Sequence, residues 1–119
     1  MTEQTSGFLL IFTEPAQGKD TEFNEWYEVH SQEIVAAVDG IKAVRRFRVN
    51  SKTEWRGTGE HSYLAIYEIT EPADVIQARL VAATPGLTRS DTLDSEASPP
   101  ILAFYDAISG VLSPPTPAS

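Results

Sequence analysis

The chain has 119 residues, of which 41% are hydrophobic and 22% charged, and its formal net charge is −8. This length suffices for one domain with a hydrophobic core and is too short for two. The acidity argues against nucleic acid or an anionic membrane surface as a partner, because phosphate binding needs clustered Lys and Arg. Cysteine is absent, which excludes disulfides, thiolate metal ligands and cysteine nucleophiles, and fits a cytoplasmic location.

The first half of the chain predicts a strand, a helix and a second strand. GFLLIFTEP, residues 7–15, is an apolar run that ends at a proline and is far too short to cross a bilayer. Nothing before it has the basic-then-apolar pattern of a secretory signal. Residues 19–38 have apolar side chains at helical spacing, and Asp39-Gly40 is expected to end that helix. IKAVRRFRVN, residues 41–50, alternates like a strand.

The second half predicts another strand, helix and strand, separated by polar segments. Aromatic and β-branched residues favour the strands, and a proline near its start favours the helix. The predicted segments are a loop at 51–60, a strand at 61–70, a helix at 71–84, a polar connection at 86–100, a strand at 101–112 and a disordered tail at 113–119.

The element order βαββαβ predicts an α+β, ferredoxin-like fold, in which two helices cover one face of a four-stranded antiparallel sheet. The strands are apolar on both faces. In the third strand, for example, Tyr63 and Tyr67 alternate with Leu64 and Ile66. Two helices cover only one face, so the other is expected to pack against a second copy of the chain. Residues 1–112 are therefore predicted to form one domain that dimerises through its helix-free sheet face.

The predicted helix at 19–38 carries the main candidate site, because a histidine lies in the middle of its apolar stripe. An imidazole titrates near neutral pH and suits a general acid or base. Tyr27, three residues before His30, is placed to donate a hydrogen bond to a substrate oxygen. The alternative is that His30 is a packed core residue. The stripe, about 120° wide at helical spacing, consists of Phe23, Trp26, Tyr27, His30, Ile34, Ala37 and Val38.

The predicted strands supply further candidates. His61 shares strand parity with Tyr63 and Tyr67, so the three could line one pocket wall, although an exposed position at the strand end is favoured for His61. Tyr105 and Asp106 lie on opposite faces of the last strand. If Asp106 is buried, it needs a partner such as His30 or an arginine.

Arginines and the loop tryptophan are weaker candidates. Arg45 and Arg46 have opposite parity, so one of them is expected to point inward, where it could hold a carboxylate or enolate. Trp55 is a candidate lid. Two histidines without metal-ligand spacing make a poor metal site, and the sequence has no phosphate-binding glycine loop. Neither a metal nor a cofactor is therefore expected.

The segments FNEWYEVHSQEI, VDGIKAVRRFRV and YLAIYEI resemble the dimeric α/β-barrel superfamily, and within it the EthD-like small proteins. The typical pattern is an Asn-Glu-Trp-Tyr-x-x-His helix, a Pro-Gly-hydrophobic turn and an Arg-Arg-Phe/Tyr strand. Here Asp39-Gly40 stands where Pro-Gly is usual. The resemblance covers roughly residues 7–110. The superfamily includes muconolactone isomerases, polyketide cyclases, cofactor-free monooxygenases, lyases and haem-processing enzymes, so the resemblance is more specific for fold than for reaction.

The resemblance implies a cofactor-independent enzyme with lyase, isomerase or cyclase chemistry on a small aromatic or polyketide-like molecule. His30 is the expected acid/base and Tyr27 its polar partner. The alternatives are a cofactor-free monooxygenase and a non-catalytic dimeric protein that binds a small ligand. Each of these functions requires a small-molecule cavity, which is expected between the helix at 19–38 and the sheet. Its expected lining is Phe23, Trp26, Ile34, His61, Tyr63, Tyr67 and Tyr105.

Overall fold

A computed structural model describes residues 4–55, 59–93 and 97–116. Its strands are β1 (Gly7–Thr13), β2 (Ile41–Arg48), β3 (Tyr63–Ile69) and β4 (Ile101–Asp106), and its helices are α1 (Asp20–Ala37) and α2 (Ala73–Ala83), the latter followed by a 3₁₀ turn (Thr84–Gly86). The strands form one antiparallel sheet in the order β2-β3-β1-β4. The predicted ferredoxin-like βαββαβ fold is therefore confirmed.

The register of the strands decides which side chains share a face. Leu9 of β1 lies opposite Tyr67 of β3 and Phe104 of β4. An irregularity between Ile41 and Ala43 shifts β2 against β3. Beyond it, Val44, Arg46 and Arg48 face the helices, whereas Arg45 and Phe47 face away from them, because successive strand residues point to opposite sides.

The core lies between the helices and the sheet. The buried side of α1 is made of Phe23, Tyr27, Ser31 and Ile34. It is rotated slightly from the predicted stripe, so that Trp26 and His30 lie at its border and Ala37 is exposed. The buried hydrophobic residues are Leu9, Ile11, Phe23, Tyr27, Ile34, Val38, Ile41, Tyr63, Ala65, Tyr67, Ile69 and Ile76.

The turn after α1 depends on a glycine. Gly40 has φ +95°, a left-handed conformation that costs other residues free energy. A Cβ atom at Gly40 would also lie 2.6 Å from Cδ1 of Ile76 in α2. The carbonyl of Gly40 accepts a hydrogen bond from the backbone N–H of Thr70 at 2.9 Å. This glycine therefore brings the start of β2 close to α2 and the end of β3. The helix itself ends at Ala37 with Val38 as its C-cap, so Gly40 belongs to the turn after the helix and does not cap it.

The face of the sheet opposite the helices is apolar and uncovered by other described parts of the chain. Phe8 and Phe47 on this face are 37% and 40% exposed. Its charges are compensated: the Lys42 ammonium lies 2.7 Å from the Glu68 carboxylate, and the Arg45 guanidinium lies over the Phe47 ring. The remaining apolar members are Leu10, Phe12, Ala43, Leu64, Ile66, Ile101, Ala103 and Tyr105. We call this set the open face.

The last strand is shorter than the sequence predicted. β4 ends at Asp106 rather than at 112, because β1, its only neighbour in the described sheet, begins at Gly7 directly opposite. Residues 107–116 are exposed and have no regular secondary structure. The predicted tail at 113–119 extends beyond the described residues, as do parts of the predicted loop at 51–60 and connection at 86–100, and its disorder stays a prediction.

Among the described helices, none combines the length and apolarity required to span a lipid bilayer. The longest, α1, has 18 residues and is amphipathic, with acidic side chains in its first turn.

Candidate functional site

Packed aromatic rings occupy the space where the sequence predicted a cavity. The ring of Phe23 lies 5.3 Å from that of Tyr27 and 5.0 Å from that of Tyr63, measured between centroids. Leu9 and Tyr67 below them are fully buried. Bulky residues from both the helix and the sheet thus meet in direct contact. The predicted cavity between α1 and the sheet is filled, which corrects the expectation drawn from the sequence.

A chain of buried hydroxyl groups runs through this packing. The hydroxyl of Tyr27 is hydrogen-bonded to that of Tyr67, which donates to the Ser31 hydroxyl at 3.4 Å. Burial raises the pKa of Tyr27 and of Tyr67, although the Arg46 guanidinium opposes both shifts. Both phenols therefore stay protonated at neutral pH. The Tyr27 hydroxyl is engaged inside the core and does not face a cleft.

His30 lies at the border of the core. Its ring stacks on Trp26, with centroids 4.5 Å apart, and meets Tyr27 edge-on at 5.7 Å. Burial lowers the pKa of His30, and the Glu33 carboxylate and the Thr88 backbone only partly offset this. The imidazole is therefore neutral at pH 7. Its Nδ1 atom is buried and has no hydrogen-bond partner within the described part of the chain.

The neighbours of His30 fasten α1 to the connection that follows α2. The indole N–H of Trp26 donates to the Thr88 carbonyl at 2.9 Å. The Glu33 carboxylate accepts from the Thr88 backbone N–H at 3.0 Å and from its hydroxyl at 2.8 Å, and these bonds lower the pKa of Glu33. His30 thus lies beside a hydrogen-bonded connection between α1 and the segment after α2.

Two other predicted site residues lie apart from His30, and a third is buried in the core. His61 is only 8% exposed, and its Nε2 lies 2.9 Å from the carbonyl of Pro99, so the favoured exposed position is wrong. Tyr105 pairs with Phe8 and belongs to the open face, away from α1. Ile34 is a core residue that is 2% exposed. The residues that do come together are Phe23, Trp26, Tyr27, His30 and Tyr63, in one ring cluster.

A surface cleft opens at the other end of this ring cluster, between the start of α1 and the end of β2. It consists of two adjoining depressions of about 540 Å³ and 330 Å³ that share Arg48 and Tyr63. Small-molecule sites usually have volumes of about 300–1,000 Å³. We call it the Tyr63 cleft. Its lining is Asp20, Asn24, Glu28, Arg46, Phe47, Arg48, Val49, Asn50, Ser51, Lys52, Ser62 and Tyr63.

Tyr63 connects the aromatic core to the polar wall of the cleft. Its ring packs on Phe23, while its hydroxyl donates to the Asp20 carboxylate at 3.2 Å. The same hydroxyl accepts from the side-chain amide of Asn24 at 3.2 Å. Tyr63 is buried, so its ring belongs to the core while its hydroxyl, fixed by two partners, lies at the cleft wall.

Arg46 forms the floor of the cleft. Its guanidinium donates to Asn24 at 2.7 Å and to Glu28 at 3.0 Å, and it lies 4.8 Å above the centre of the Tyr27 ring. Only 15% of its side chain is exposed. The sequence predicted that one of two arginines points inward, and the structure shows that it is Arg46. The strand irregularity that selects it has no signal in the sequence, and the roles of Asn24 and Asp20 were missed.

The remaining candidates are exposed or isolated. Trp55 is 93% exposed, and Asp106 is exposed as well, so Asp106 does not need the buried partner that the sequence raised. Over the described residues, no three His, Asp or Glu side chains come together in a way that could hold a metal ion.

Comparisons with known proteins concern the fold. Scans against protein-family models and against curated proteins find no match. The chain is similar to the crystal structure of At3g17210 from Arabidopsis thaliana, with a TM-score of 0.58 and 12% identity over 89% of this chain and 99% of that one. The solution structure of that Arabidopsis protein gives a TM-score of 0.53 at 11% identity, covering 94% and 96%. NE2512, a protein of unknown function from Nitrosomonas europaea, gives a TM-score of 0.52 at 14% identity, covering 96% and 100%. These proteins share the fold of the chain over nearly their whole length.

Proposed function

We propose that the chain acts as a homodimer that binds a small aromatic anion, such as an aromatic carboxylate or enolate, in the Tyr63 cleft. The observation that carries the proposal is the concentration of cationic side chains in this one cleft. Arg46, Arg48 and Lys52 line it against Asp20 and Glu28, which leaves an excess of positive charge in a chain of net charge −8. An acidic protein repels anions in general, so a local cationic site is needed to hold one.

Of the three cationic side chains, one is already bound by neighbouring residues and two are proposed to contact a ligand. Arg46 is oriented by Asn24 and Glu28. Arg48 and Lys52 make no ion pair among the described residues, although both line the larger depression. A guanidinium binds a carboxylate through two parallel hydrogen bonds. Arg48 and Lys52 are therefore the proposed contacts for the charge of the ligand.

The aromatic part of the ligand has its own support. Val49 lines the larger depression, and Tyr63 lines both. The Tyr63 hydroxyl, held by Asp20 and Asn24, is placed to exchange one of these partners for an oxygen of the ligand. Apolar walls with a few fixed polar groups are typical of small-molecule sites.

A titration with paired probes tests this site. Salicylate is the anionic probe, and salicylamide is the neutral molecule of nearly the same shape. Chemical shifts in ¹H–¹⁵N spectra are expected to move at Arg48, Lys52 and Tyr63 with salicylate only. Arg48→Gln is expected to weaken binding about tenfold or more, because it removes a charge-assisted pair. Arg89→Gln, at an exposed arginine outside the cleft, is the matched control. Equal binding of both probes, or equal loss in both variants, would refute the anion site.

The homodimer part of the proposal depends on the open face. Phe8, Phe47 and Tyr105 on this face are 37%, 40% and 58% exposed, and the neighbouring side chains from all four strands are apolar as well. A continuous apolar sheet surface of this kind marks an interaction site, and an isologous pair is the simplest way to cover it. Sedimentation of the unmodified chain from 1 to 100 μM tests this part. A monomer throughout that range would refute it.

A second candidate function is acid/base chemistry at His30 on a small aromatic or polyketide-like substrate, of the lyase, isomerase or cyclase type. The specific observation that favours it is the buried and unpartnered Nδ1 atom of an imidazole whose pKa is lowered by burial. A neutral imidazole with a free nitrogen can accept a proton. Against it, the depressions described above adjoin Tyr63 and not His30.

Keto–enol exchange of an aromatic keto acid tests this second candidate without knowledge of the natural substrate. Deuterium uptake by phenylpyruvate is measured by NMR with the unmodified chain, with His30→Ala and with Tyr27→Phe. Catalysis by His30 predicts a loss of about 10²–10⁴-fold in His30→Ala and a smaller loss in Tyr27→Phe. A packed His30 predicts an unchanged rate and a lower melting temperature.

A further inference from the structure

The segment that follows β4 is unusually apolar for a stretch in contact with water. Ile108 and Val111 are each 99% exposed, and Leu112 is 83% exposed. From residue 107 to residue 119 the sequence contains no Asp, Glu, Lys or Arg, in a chain where 22% of residues are charged. The segment can therefore lose its contact with water without burying a charge. We call residues 107–112 the post-β4 segment.

The segment is directed away from its own sheet. The Ala107 N–H donates to the Ser6 carbonyl at 2.9 Å, so the chain still follows the line of β4 at this point. Beyond it, residues 108–112 extend past the end of β1. The radius of gyration of the molecule is 16.4 Å, whereas a compact chain of this length has about 13–14 Å. An apolar segment that projects from the protomer is available to another molecule.

A groove of matching character crosses the open face. It has a volume of about 420 Å³. Phe8, Ala43, Phe47 and Ile66 give it apolar walls, and Val44, Arg45 and Glu68 complete its lining. It lies against β2, an edge strand of the described sheet, whose outer N–H and C=O groups can pair with an extended segment. An apolar, uncharged, extended chain fits this groove.

We propose that the post-β4 segment of one protomer packs in this groove of its partner, in an exchange related by the two-fold axis of the dimer. This inference rests on the proposed homodimer. Four strands spaced about 4.8 Å apart span about 14 Å, and six extended residues reach about 20 Å. The segment is thus long enough to cross a partner's sheet. The occupant is a second copy because Ile108 and Val111 are each 99% exposed in the single protomer, so the segment does not cover its own open face.

Cysteine cross-linking tests the contact directly, since the natural chain has no cysteine. Val111→Cys and Ala43→Cys chains are prepared separately, mixed and oxidised. A disulfide between the two kinds of chain is expected. Val81→Cys on α2, at a position that is 66% exposed, replaces Ala43→Cys as the control and is expected to give none. Equal yields with both partners would overturn the inference. A chain that carries both Val111→Cys and Ala43→Cys and closes on itself at high dilution would also overturn it, by showing that the segment covers its own face.

Sedimentation separates this inference from the homodimer on which it rests. The variant Ile108→Ser/Val111→Ser/Leu112→Ser is expected to raise the dimer dissociation constant at least tenfold, while Val81→Ser leaves it unchanged. An unchanged dissociation constant in the triple variant would overturn the segment exchange and leave the homodimer intact. A monomeric natural chain would overturn both.

Discussion

His30 is the residue whose environment departs furthest from what its sequence position indicates. Its neighbours in the apolar stripe suggested a histidine that points into a pocket. The structure places it at the border of the core, stacked on Trp26 and next to a connection held by Glu33. The first measurable effect of this environment is therefore expected in the stability of the chain rather than in catalysis.

Burial lowers the pKa of His30 in the folded chain, whereas in the unfolded chain it is about 6.5. The unfolded state therefore binds more protons in the range between the two values, and the free energy of unfolding rises with pH there. The contribution of His30 is fully present above pH 6.5 and declines as the pH falls towards the lower, folded value. When the pH is lowered from 7.5 to 5.5, urea unfolding is expected to show a larger fall in the free energy of unfolding for the natural chain than for His30→Gln. The same loss in both chains would contradict this.

The hydroxyl of Tyr67 gives a second prediction. Tyr67→Phe removes the acceptor for the buried Tyr27 hydroxyl and the donor to Ser31. Loss of one partner of a buried hydrogen bond costs about 1–3 kcal/mol. Urea unfolding is expected to show a loss of this size. Tyr105→Phe removes a hydroxyl from an exposed tyrosine and is the control, with an expected change within about 0.5 kcal/mol. A similar change in the two variants would show that the buried hydroxyl groups contribute no more to the free energy of unfolding than an exposed one.

At the level of elements, α1 is central because it makes three different contacts. One side packs on the sheet through Phe23 and Tyr27, a second holds the connection after α2 through Glu33, and its first two turns border the Tyr63 cleft through Asn24. The helix ends at Ala37 with Val38 as its C-cap, and Gly40 then turns the chain into β2.

Gly40→Ala is expected to destabilise the chain through two separable effects. The left-handed backbone costs about 1–2 kcal/mol for a residue with a Cβ atom, and the contact with Ile76 at 2.6 Å adds an overpacking cost of about 1–3 kcal/mol. Gly18 has φ +79° and nothing within 4 Å of its Cβ position. Gly18→Ala thus isolates the backbone effect. Thermal unfolding should show the larger loss for Gly40→Ala. Equal losses would mean that the Ile76 side chain moves aside freely.

For the whole molecule, the decisive feature is that the sheet has two apolar faces and only one layer of helices. Ile66, at the centre of the open face, pairs in register with Leu10 and Arg45. A protomer that stays folded while it loses its partner would show that the face serves association rather than folding.

Ile66→Glu is expected to give a folded monomer. The glutamate and the Arg45 side chain opposite it would both lose water inside the interface of the proposed dimer, which is unfavourable, whereas in the single protomer this position is partly solvated. Val29→Glu, at a position of α1 that is 49% exposed, is the control and should remain dimeric. Sedimentation gives the mass, and circular dichroism confirms the fold. A dimeric Ile66→Glu chain would place the interface elsewhere.

The sequence alone determined the order of the elements and the two apolar faces of the sheet. Both follow from local periodicity, because a helix repeats every 3.6 residues and a strand every two. Spacing along the sequence alone therefore shows that Phe23 and Ile34 share one face of a helix, and that Tyr63 and Tyr67 share one face of a strand. The same local reasoning identified the Gly40 turn and the need for one inward arginine.

Tertiary structure decided what lies beside those faces. A register shift between Ile41 and Ala43 selected Arg46 over Arg45, and a strand irregularity of this kind depends on pairing with β3. β4 ends at Asp106 because β1, the strand it pairs with, begins at Gly7 directly opposite, although the apolar pattern of the sequence continues beyond Asp106. His61 is buried against Pro99, which is 38 residues away in the sequence. His30 lies beside the connection that follows α2, a distant part of the chain. Each outcome depends on contacts between distant parts of the chain, which periodicity along one segment does not encode.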